Sequence, residues 1–210
     1  MAKMIDKIPS YEGEKKTWEA FSVNLPQQYV VYNTKSIKGW EFDFCILVEN
    51  VGLFIVEVKG WKAEDIFNVV SEDSIILVGE EKPQSSPRKQ ARGYRFNMVN
   101  LLKQELGMNL LVMDLVCYPM ITKEEYYAKR LDVVSDETET IFKEDLEDAP
   151  SLYQKIIGRY NINKSTPHDV FNTKRFALVR HHFEPNFDLK ENVEDLNPGY
   201  SRLRVEVGAL

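Results

Sequence analysis

The chain has few cysteines, no long apolar run and no excess of positive charge. Its two cysteines, Cys45 and Cys117, lie inside apolar stretches, which favours buried reduced thiols over a disulfide. No apolar run approaches the roughly 20 residues that span a membrane, and the N-terminus lacks the apolar segment of a secretory signal. We therefore expect a cytoplasmic protein with no membrane partner. The net charge of −6 argues against a protein that binds nucleic acid with its whole surface.

Several catalytic motifs are also missing. The sequence contains neither the Gly-x-x-x-x-Gly-Lys-Ser/Thr loop of nucleotide-driven motors nor the Gly-x-Ser-x-Gly of many hydrolases. His168, His181 and His182 have no zinc-like spacing to the cysteines. If residues 175–183 form a strand, as their apolar run suggests, the adjacent His181 and His182 point to opposite faces and cannot share a metal. We interpret all three as structural or surface residues.

The most informative stretch is residues 41–59, which reads as two apolar strands joined by a turn at residues 49–52. Glu57 and Lys59 share one strand face because side chains alternate along a strand. Asp43 joins them if the hairpin pairs odd positions with odd positions. Charges on an apolar sheet are unfavourable unless they are paired or bind a metal. The stretch therefore predicts either a divalent-cation site for phosphodiester hydrolysis or a partly buried ion pair that braces the sheet.

The remaining patterns predict an α/β sandwich around a mixed sheet. A helix capped by Ser10 is expected over residues 10–25, with Glu14 heading the apolar stripe of Trp18, Phe21 and Leu25. Further predictions are a strand over 29–35, a ribbon of 67–70 with 74–79, a loop over 83–87, a helix over 86–106 ended by Gly107, and a buried strand over 109–120.

Beyond residue 120 the patterns are weaker. We predict a strand over 131–135, a solvated acidic helix or loop over 136–148, a helix over 151–160 and a strand over 175–183. Residues 184–200 are polar and rich in turn formers, which suggests a tail or linker. The expected division is a core at 1–120 and an extension at 121–210 that completes or flanks the core and leads to a downstream module.

The long helix predicted over 86–106 carries two groups of polar residues. Gln90 and Tyr94 are four residues apart and lie on one face. A basic stripe on another face consists of Arg88, Arg92 and Arg95, and with Lys89 it is our candidate for contacts to nucleic-acid phosphates. A solvated helix face is the alternative for this stripe.

Together these pieces resemble a known nuclease family. Asp43, followed after thirteen residues by Glu57-Val58-Lys59, is similar to the PD-(D/E)XK nuclease signature. Gly13-Glu14, Leu25-Pro26, Glu41-Phe-Asp43, the run from Gly52 to Trp61, and Pro87-x-x-Gln90-Ala91 resemble the NERD (nuclease-related) domain. The resemblance covers residues 10 to 120. It implies a restriction-endonuclease-like fold, a mixed β-sheet sandwiched by helices, and metal-dependent hydrolysis of DNA, with RNA as an alternative substrate.

The resemblance also implies roles for single residues. Asp43 and Glu57, with the Val58 carbonyl, would bind Mg²⁺ or Mn²⁺, and Lys59 would position or activate the attacking water. Glu14 would complete the metal site or hold a metal-bound water. Gln90 matches a polar residue of the second helix, and Tyr94 matches a tyrosine of a neighbouring branch, where it would contact the nucleic acid.

Two further expectations follow from the resemblance. Such domains often accompany helicase modules, so a helicase in cis or in trans is an expected partner. The alternative to an enzyme is a non-catalytic adaptor that retains the nuclease fold to bind DNA or a protein.

Overall fold

The structure is a computed structural model of the 210-residue chain and describes residues 1–37 and 40–184, with no side chain described for residues 34–40. The strands are β1 (Lys3–Met4), β2 (Val30–Ile37), β3 (Trp40–Val48), β4 (Gly52–Val58), β5 (Ile66–Ser71), β6 (Ser74–Leu77), β7 (Gln84–Ser85), β8 (Val112–Cys117) and β9 (Thr140–Ile141). The helices are α1 (Glu12–Asn24), α2 (Pro87–Leu106), α3 (Lys123–Ala128), α4 (Lys143–Glu147), α5 (Ala149–Asn163) and α6 (Thr173–Phe183).

Two sheets organise these elements. The larger has six strands in the order β1-β2-β3-β4-β8-β9 and is mixed, because β2, β3 and β4 are antiparallel neighbours while β8 runs parallel to β4. The smaller sheet, β5-β6-β7, is antiparallel. The predicted α/β class and the mixed sheet are confirmed, and the architecture is compatible with a nuclease-like fold.

The hairpin of β3 and β4 has the register that the charge pattern required. Cys45 pairs with Ile55 and Leu47 pairs with Leu53, so odd positions oppose odd positions. These four side chains are buried against α2 and α6, whereas Phe44, Ile46, Phe54 and Val56 pack with α1 and α5 on the other face. The sheet is therefore buried on both faces, and Glu57 and Lys59 lie where β4 ends.

The helices begin and end where local chemistry dictates, with one correction. Ser86 caps α2 by accepting a hydrogen bond from the Lys89 amide, and Gly107 ends it with a left-handed φ of 63°. For α1, however, the N-cap is Tyr11, which makes no side-chain cap, so the predicted Ser10 cap is wrong. Within the predicted loop of 83–87, Gln84–Ser85 forms β7 along β6.

Three predictions after residue 120 are wrong. Residues 175–183 are helical within α6, whose N-cap Asn172 accepts a hydrogen bond from the Arg175 amide. Leu131–Val133 is a 3-10 turn instead of a strand. The acidic segment 136–148 is not simply solvated, because it contributes β9 to the sheet and buries Glu139 and Asp145. The helix predicted over 151–160 is confirmed as α5.

The segment after residue 120 packs on the same core. Leu152 and Ile156 of α5 join the cluster under α1, and Phe171 and Val179 join the cluster under α2. The proposed boundary at 120 stays a prediction, and the predicted tail at 184–200 lies almost wholly outside the described residues. Cys45 and Cys117 are free and buried, as predicted. Within the described ranges, no helix has the length and apolar character needed to cross a membrane.

Candidate active site

The centre of the candidate site is the ion pair of Glu57 and Lys59 at the end of β4. The Lys59 Nζ lies 2.6 Å from a Glu57 carboxylate oxygen, and the Glu57 side chain is only 5% exposed. The chain then leaves the strand through Lys59, whose amide donates a 2.8 Å hydrogen bond to the Cys117 carbonyl of β8. This main-chain bond to β8 therefore holds the end of β4, where the two side chains meet, in place.

Asp43 adds a second carboxylate from the neighbouring strand. Its Oδ2 accepts a 2.6 Å hydrogen bond from the Val58 amide, which ties the first half of β3 to the end of β4. Burial raises the pKa of Asp43, against the lowering effects of this hydrogen bond and of Lys59. The carboxylate is thus held in place by the backbone beside Glu57.

Glu14 approaches from the first turn of α1 because two glycines allow the backbones to touch. A Cβ placed on Gly13 would lie 2.6 Å from the Gly60 Cα, so only glycine permits this contact. Burial raises the pKa of Glu14, the negative charge of Asp43 raises it further, and Lys59 lowers it. The three carboxylates of Glu14, Asp43 and Glu57 therefore act on one another electrostatically, together with one lysine.

The helix α2 closes the site from the other side. Burial raises the pKa of Tyr94 to about 12, with further contributions from the negative charges of Glu57, Asp43 and Glu41. One turn earlier, the Gln90 side-chain oxygen is buried and has no hydrogen-bond partner among the described residues. On the predicted inward face, Tyr94 is therefore close enough to the carboxylates to respond to their charge, and Gln90 provides an unsatisfied acceptor.

Among the carboxylates of the site, Glu57 has the most strongly shifted pKa. Burial raises its pKa to about 7, and the charge of Asp43 adds to this effect against the opposing effect of Lys59. The ion pair at 2.6 Å does not offset the removal of Glu57 from water. A single ammonium therefore leaves the site with excess negative charge, which a divalent cation would neutralise.

The donor chemistry fits a hard divalent cation, although the described residues do not form a complete cage. Carboxylate oxygens are the ligands that Mg²⁺ prefers, and it commonly keeps several waters beside only one or two protein carboxylates. Within the described part of the chain, no three His, Cys, Asp or Glu side chains come close enough to form a metal-binding group. Lys59 occupies one Glu57 oxygen in this conformation, so a cation would compete with its ammonium.

The predicted basic stripe divides into paired and unpaired residues. Arg95 Nε lies 3.3 Å from buried Asp114, and Arg88 Nε lies 3.3 Å from Glu139, although neither contact has hydrogen-bond geometry. Lys89 lies 3.6 Å from Asp73 at the surface. Arg92 has no hydrogen bond or ion pair within the described residues. Two of the three arginines thus face the protein's own carboxylates.

Sequence reasoning missed the centre of this ion-pair network. Arg159 of α5, only 7% exposed, contacts Asp114 at 3.2 Å and Glu139 at 2.9 Å. Its Nε also donates to the Asp114 main-chain carbonyl, on the edge of β8 where β9 provides no partner. The only sign of it in the sequence is Asp114 within the apolar run of β8. A buried charge there requires a partner of opposite charge, because an unpaired one is too unfavourable.

The aromatic and histidine side chains near these elements have mostly structural contacts. Lys59 Nζ lies 5.6 Å from the Trp61 ring centre, and Trp61 packs beside Tyr118. His182 pairs with Glu105 at 3.3 Å, and the His168 ring contacts the Thr166 carbonyl. His181 and His182 lie on a helix, so the predicted strand argument about them fails, and the described residues bring no cysteine and histidine together as a metal site.

Comparison with known proteins gives one match. Residues 9–119, more than half of the chain, match the model of a family described as Nuclease-related domain, or NERD. No curated protein and no solved structure matches the chain. The match spans α1, the carboxylate hairpin, α2 and β8, which are the elements that build the candidate site.

Proposed function

The chain belongs to the NERD, or nuclease-related domain, family of the PD-(D/E)XK-like nuclease superfamily, and from this premise we propose that it is a Mg²⁺- or Mn²⁺-dependent deoxyribonuclease. The observation that carries the proposal is the meeting of Asp43, Glu57 and Lys59 at the end of the hairpin. Two carboxylates beside one lysine at a buried strand end are suited to phosphodiester hydrolysis.

Asp43 and Glu57 are the proposed metal ligands, with the Val58 carbonyl and Glu14 completing the set. A bound divalent cation would lower the pKa of a water molecule and neutralise charge on the phosphate. The surroundings of the two proposed carboxylate ligands support this role, because burial raises the pKa of both Asp43 and Glu57. Each acid is unfavourable as a bare anion in the folded protein, which favours its pairing with a cation.

Lys59 is the proposed catalytic lysine. It pairs with Glu57, and its side chain is 18% exposed, so it is shielded but reachable from solvent. We propose that Lys59 orients the attacking water and stabilises the negative charge that grows on the phosphate oxygens. A preorganised ammonium in a site with little water stabilises such a charge more than it would in bulk solvent.

Gln90 and Tyr94 are the proposed orienting residues on α2. The buried Gln90 oxygen lacks a partner among the described residues, so it is available to accept a hydrogen bond from a water or a substrate group. The raised pKa of Tyr94 keeps its hydroxyl protonated and able to donate to a phosphate oxygen. Glu14 is proposed to hold a second water from the α1 side.

A non-catalytic adaptor is the second candidate, and one observation favours it. The Glu57–Lys59 pair is closed in this structure, and the described acids form no three-ligand group. In that case the pair braces the sheet and the fold serves only to bind DNA or a protein. The helicase partner and the cytoplasmic location both stay predictions.

Lys59→Ala separates the two functions. The nuclease proposal predicts that metal-dependent cleavage of linear or circular DNA falls by about 10²–10³-fold or more, because the lysine acts on transition-state charge. At pH 6 the melting temperature should change little, because burial raises the Glu57 pKa to about 7 and the acid can take up a proton. The matched control is Lys62→Ala, since Lys62 is exposed and its 3.9 Å pair with Glu64 is weak.

The reactions should be run with Mg²⁺, Mn²⁺ or EDTA on purified wild-type and variant proteins. Cleavage that requires the metal and is lost only in Lys59→Ala supports the nuclease. Wild-type protein that cleaves nothing with either metal, combined with a Lys59→Ala variant that melts far lower at pH 8, where Glu57 is mostly ionised, supports the adaptor.

A further inference from the structure

A groove of about 430 Å³ lies on the outer side of α2, away from the carboxylates. One wall is the first half of α2, and the other is the turn between β5 and β6. Its lining residues are Glu72, Asp73, Arg88, Lys89, Arg92, Gly93 and Phe96. At about 100° per residue, Arg92 and Phe96 face away from Gln90 and Tyr94 on this helix, while Gly93 lies at the border between the two faces. The groove is therefore a second polar surface, separate from the candidate active site.

Arg92 supplies the free positive charge of the groove. It is exposed and has no hydrogen bond or ion pair within the described part of the chain. Arg88 and Lys89 contact Glu139 and Asp73, so their charges are partly offset. An arginine with an uncommitted planar guanidinium on a helix wall is well suited to a phosphate, which it can bind through two hydrogen bonds.

Phe96 places an aromatic ring one turn after this arginine. Its side chain is 58% exposed, and the Arg95 guanidinium lies 4.8 Å from the ring centre. A phenylalanine this exposed loses hydrophobic stabilisation unless something covers it. Single-strand binders combine such parts, a positive group that holds a phosphate and an aromatic face on which a base stacks.

Gly93 lies between these two side chains and leaves the groove open. Packing does not require glycine here, because a Cβ at this position would meet nothing within 4 Å. Glycine inside a helix destabilises it relative to alanine. The bare backbone instead leaves this part of the groove open to a ligand.

We propose that this groove binds single-stranded nucleic acid, with a base stacked on Phe96 and the adjoining phosphate held by Arg92. The opposite wall favours one strand over a duplex. Glu72 and Asp73 line that wall, and although Lys89 partly offsets the charge of Asp73, the phosphates of a second strand would meet a net negative surface there. The proposal rests on the proposed function for its ligand class, and it names the substrate as a single strand entering along α2.

Binding without cleavage tests the groove. The probe is a fluorescein-labelled oligothymidylate of about 12 nucleotides, within the span that one single-strand site covers. Anisotropy titrations in EDTA exclude the metal-dependent reaction, so the result is independent of whether the protein is a nuclease. We expect Phe96→Ala to weaken binding about tenfold with an unchanged salt dependence, while Phe96→Tyr binds like the wild type.

Arg92→Gln and Gly93→Leu provide two independent tests. Arg92→Gln should reduce the slope of log affinity against log salt by about 0.7, the loss of one phosphate contact to a single strand. Gly93→Leu should fill the groove and weaken binding while leaving the melting temperature equal or higher, since leucine is a better helix former. Loss of binding in this variant therefore does not reflect unfolding.

The matched controls are Phe67→Ala, an aromatic exposed on β5, and Gly158→Ala, a helical glycine with equally open surroundings on α5. Both should bind the probe like the wild type. Wild-type binding from Phe96→Ala and Gly93→Leu would overturn the proposal, as would a wild-type protein that does not bind the single strand or equal weakening by the two controls. Failure of the Lys59 cleavage test would leave this binding result unaffected.

Discussion

At the scale of single residues, Glu57 is placed where its charge is costly and its neighbours only partly compensate. Lys59 reaches it at 2.6 Å, yet burial and Asp43 raise its pKa to about 7. A bracing ion pair of this kind would often be replaced without loss by apolar residues. The arrangement is better explained if the pair exchanges its ammonium for another cation, as the proposed metal site requires.

The pKa of Glu57 gives the first pH prediction. Because the folded value of about 7 lies above the unfolded value of 4.5, the native state holds the proton more tightly. Its contribution to the free energy of unfolding is complete below about pH 4.5 and is lost as the pH rises through about 7. In EDTA, the wild-type melting temperature should therefore fall over this range relative to Glu57→Gln, which has no acid there to titrate.

Differential scanning fluorimetry from pH 5 to 8 measures this difference. Added Mg²⁺ should recover stability in the wild type above pH 7 and have less effect on Glu57→Gln, because a ligand stabilises the state that binds it. Parallel curves for the two proteins in EDTA would contradict the assigned pKa.

Much of the candidate site could be predicted from the alternation of side chains between the two faces of the β3–β4 hairpin. The sequence placed Glu57 and Lys59 together, and the observed odd-to-odd register supports the argument that brought Asp43 to them. It did not predict the hydrogen bond from the Val58 amide, which depends on where the first half of β3 lies relative to the end of β4. Nor did it predict exposed Phe96, because helical phase alone does not show which face lacks a covering element.

At the scale of elements, Arg159 fastens α5 to the edge of the large sheet. Its guanidinium contacts Asp114 of β8 and Glu139 before β9, and Arg88 and Arg95 of α2 contact the same two acids. Asp114 is 2% exposed and Glu139 8%. The network therefore joins helices from both faces around the strand edge that the two-residue β9 leaves uncovered.

Arg159→Ala should destabilise the fold by about 3–5 kcal/mol. It removes a central cation of a buried charge network, so Asp114 and Glu139 stay buried with less positive charge beside them. Urea denaturation measures the free energy of unfolding. Arg175→Ala is the matched control, since Arg175 makes a half-exposed pair with Asp169 at 3.5 Å and should cost less than about 1 kcal/mol. Equal losses in the two variants would show that the network contributes no more than a surface pair.

The errors of prediction at this scale have identifiable causes. A continuous apolar run at 176–179 suggested a strand, yet Phe176, Val179 and Phe183 pack at helical spacing after the Asn172 cap. That cap was the available signal. The acidic segment 136–148 was expected to be solvated because the partners of Glu139 and Asp145, Arg159 and Lys155, lie ten or more residues further along the chain. Sequence pattern gives local periodicity but not long-range pairing.

At the scale of the whole molecule, the charge distribution decides how a polyanion would approach. The chain carries a net charge of −6, and Glu14, Asp43 and Glu57 act together near one end of β4. The positive charges of α2 are partly offset by Asp73, Asp114 and Glu139. A nucleic acid is therefore attracted only locally, and the uncompensated carboxylates repel its phosphates whenever no cation is bound.

Because of this repulsion, we expect the carboxylates to lower the affinity of the protein for DNA when no divalent cation is present. The double variant Asp43→Asn/Glu57→Gln should bind a single-stranded oligonucleotide several-fold more tightly than the wild type in EDTA at pH 8, where Glu57 is mostly ionised. Mg²⁺ should strengthen wild-type binding and have little effect on the variant, because it removes the same negative charge. Anisotropy at low ionic strength gives the clearest signal, since salt screens the repulsion. The control Glu12→Gln removes an acid from the exposed surface of α1 and should leave binding unchanged. Equal affinity of wild type and double variant in EDTA would mean that DNA does not approach these carboxylates, which would contradict their proposed place at the scissile phosphate.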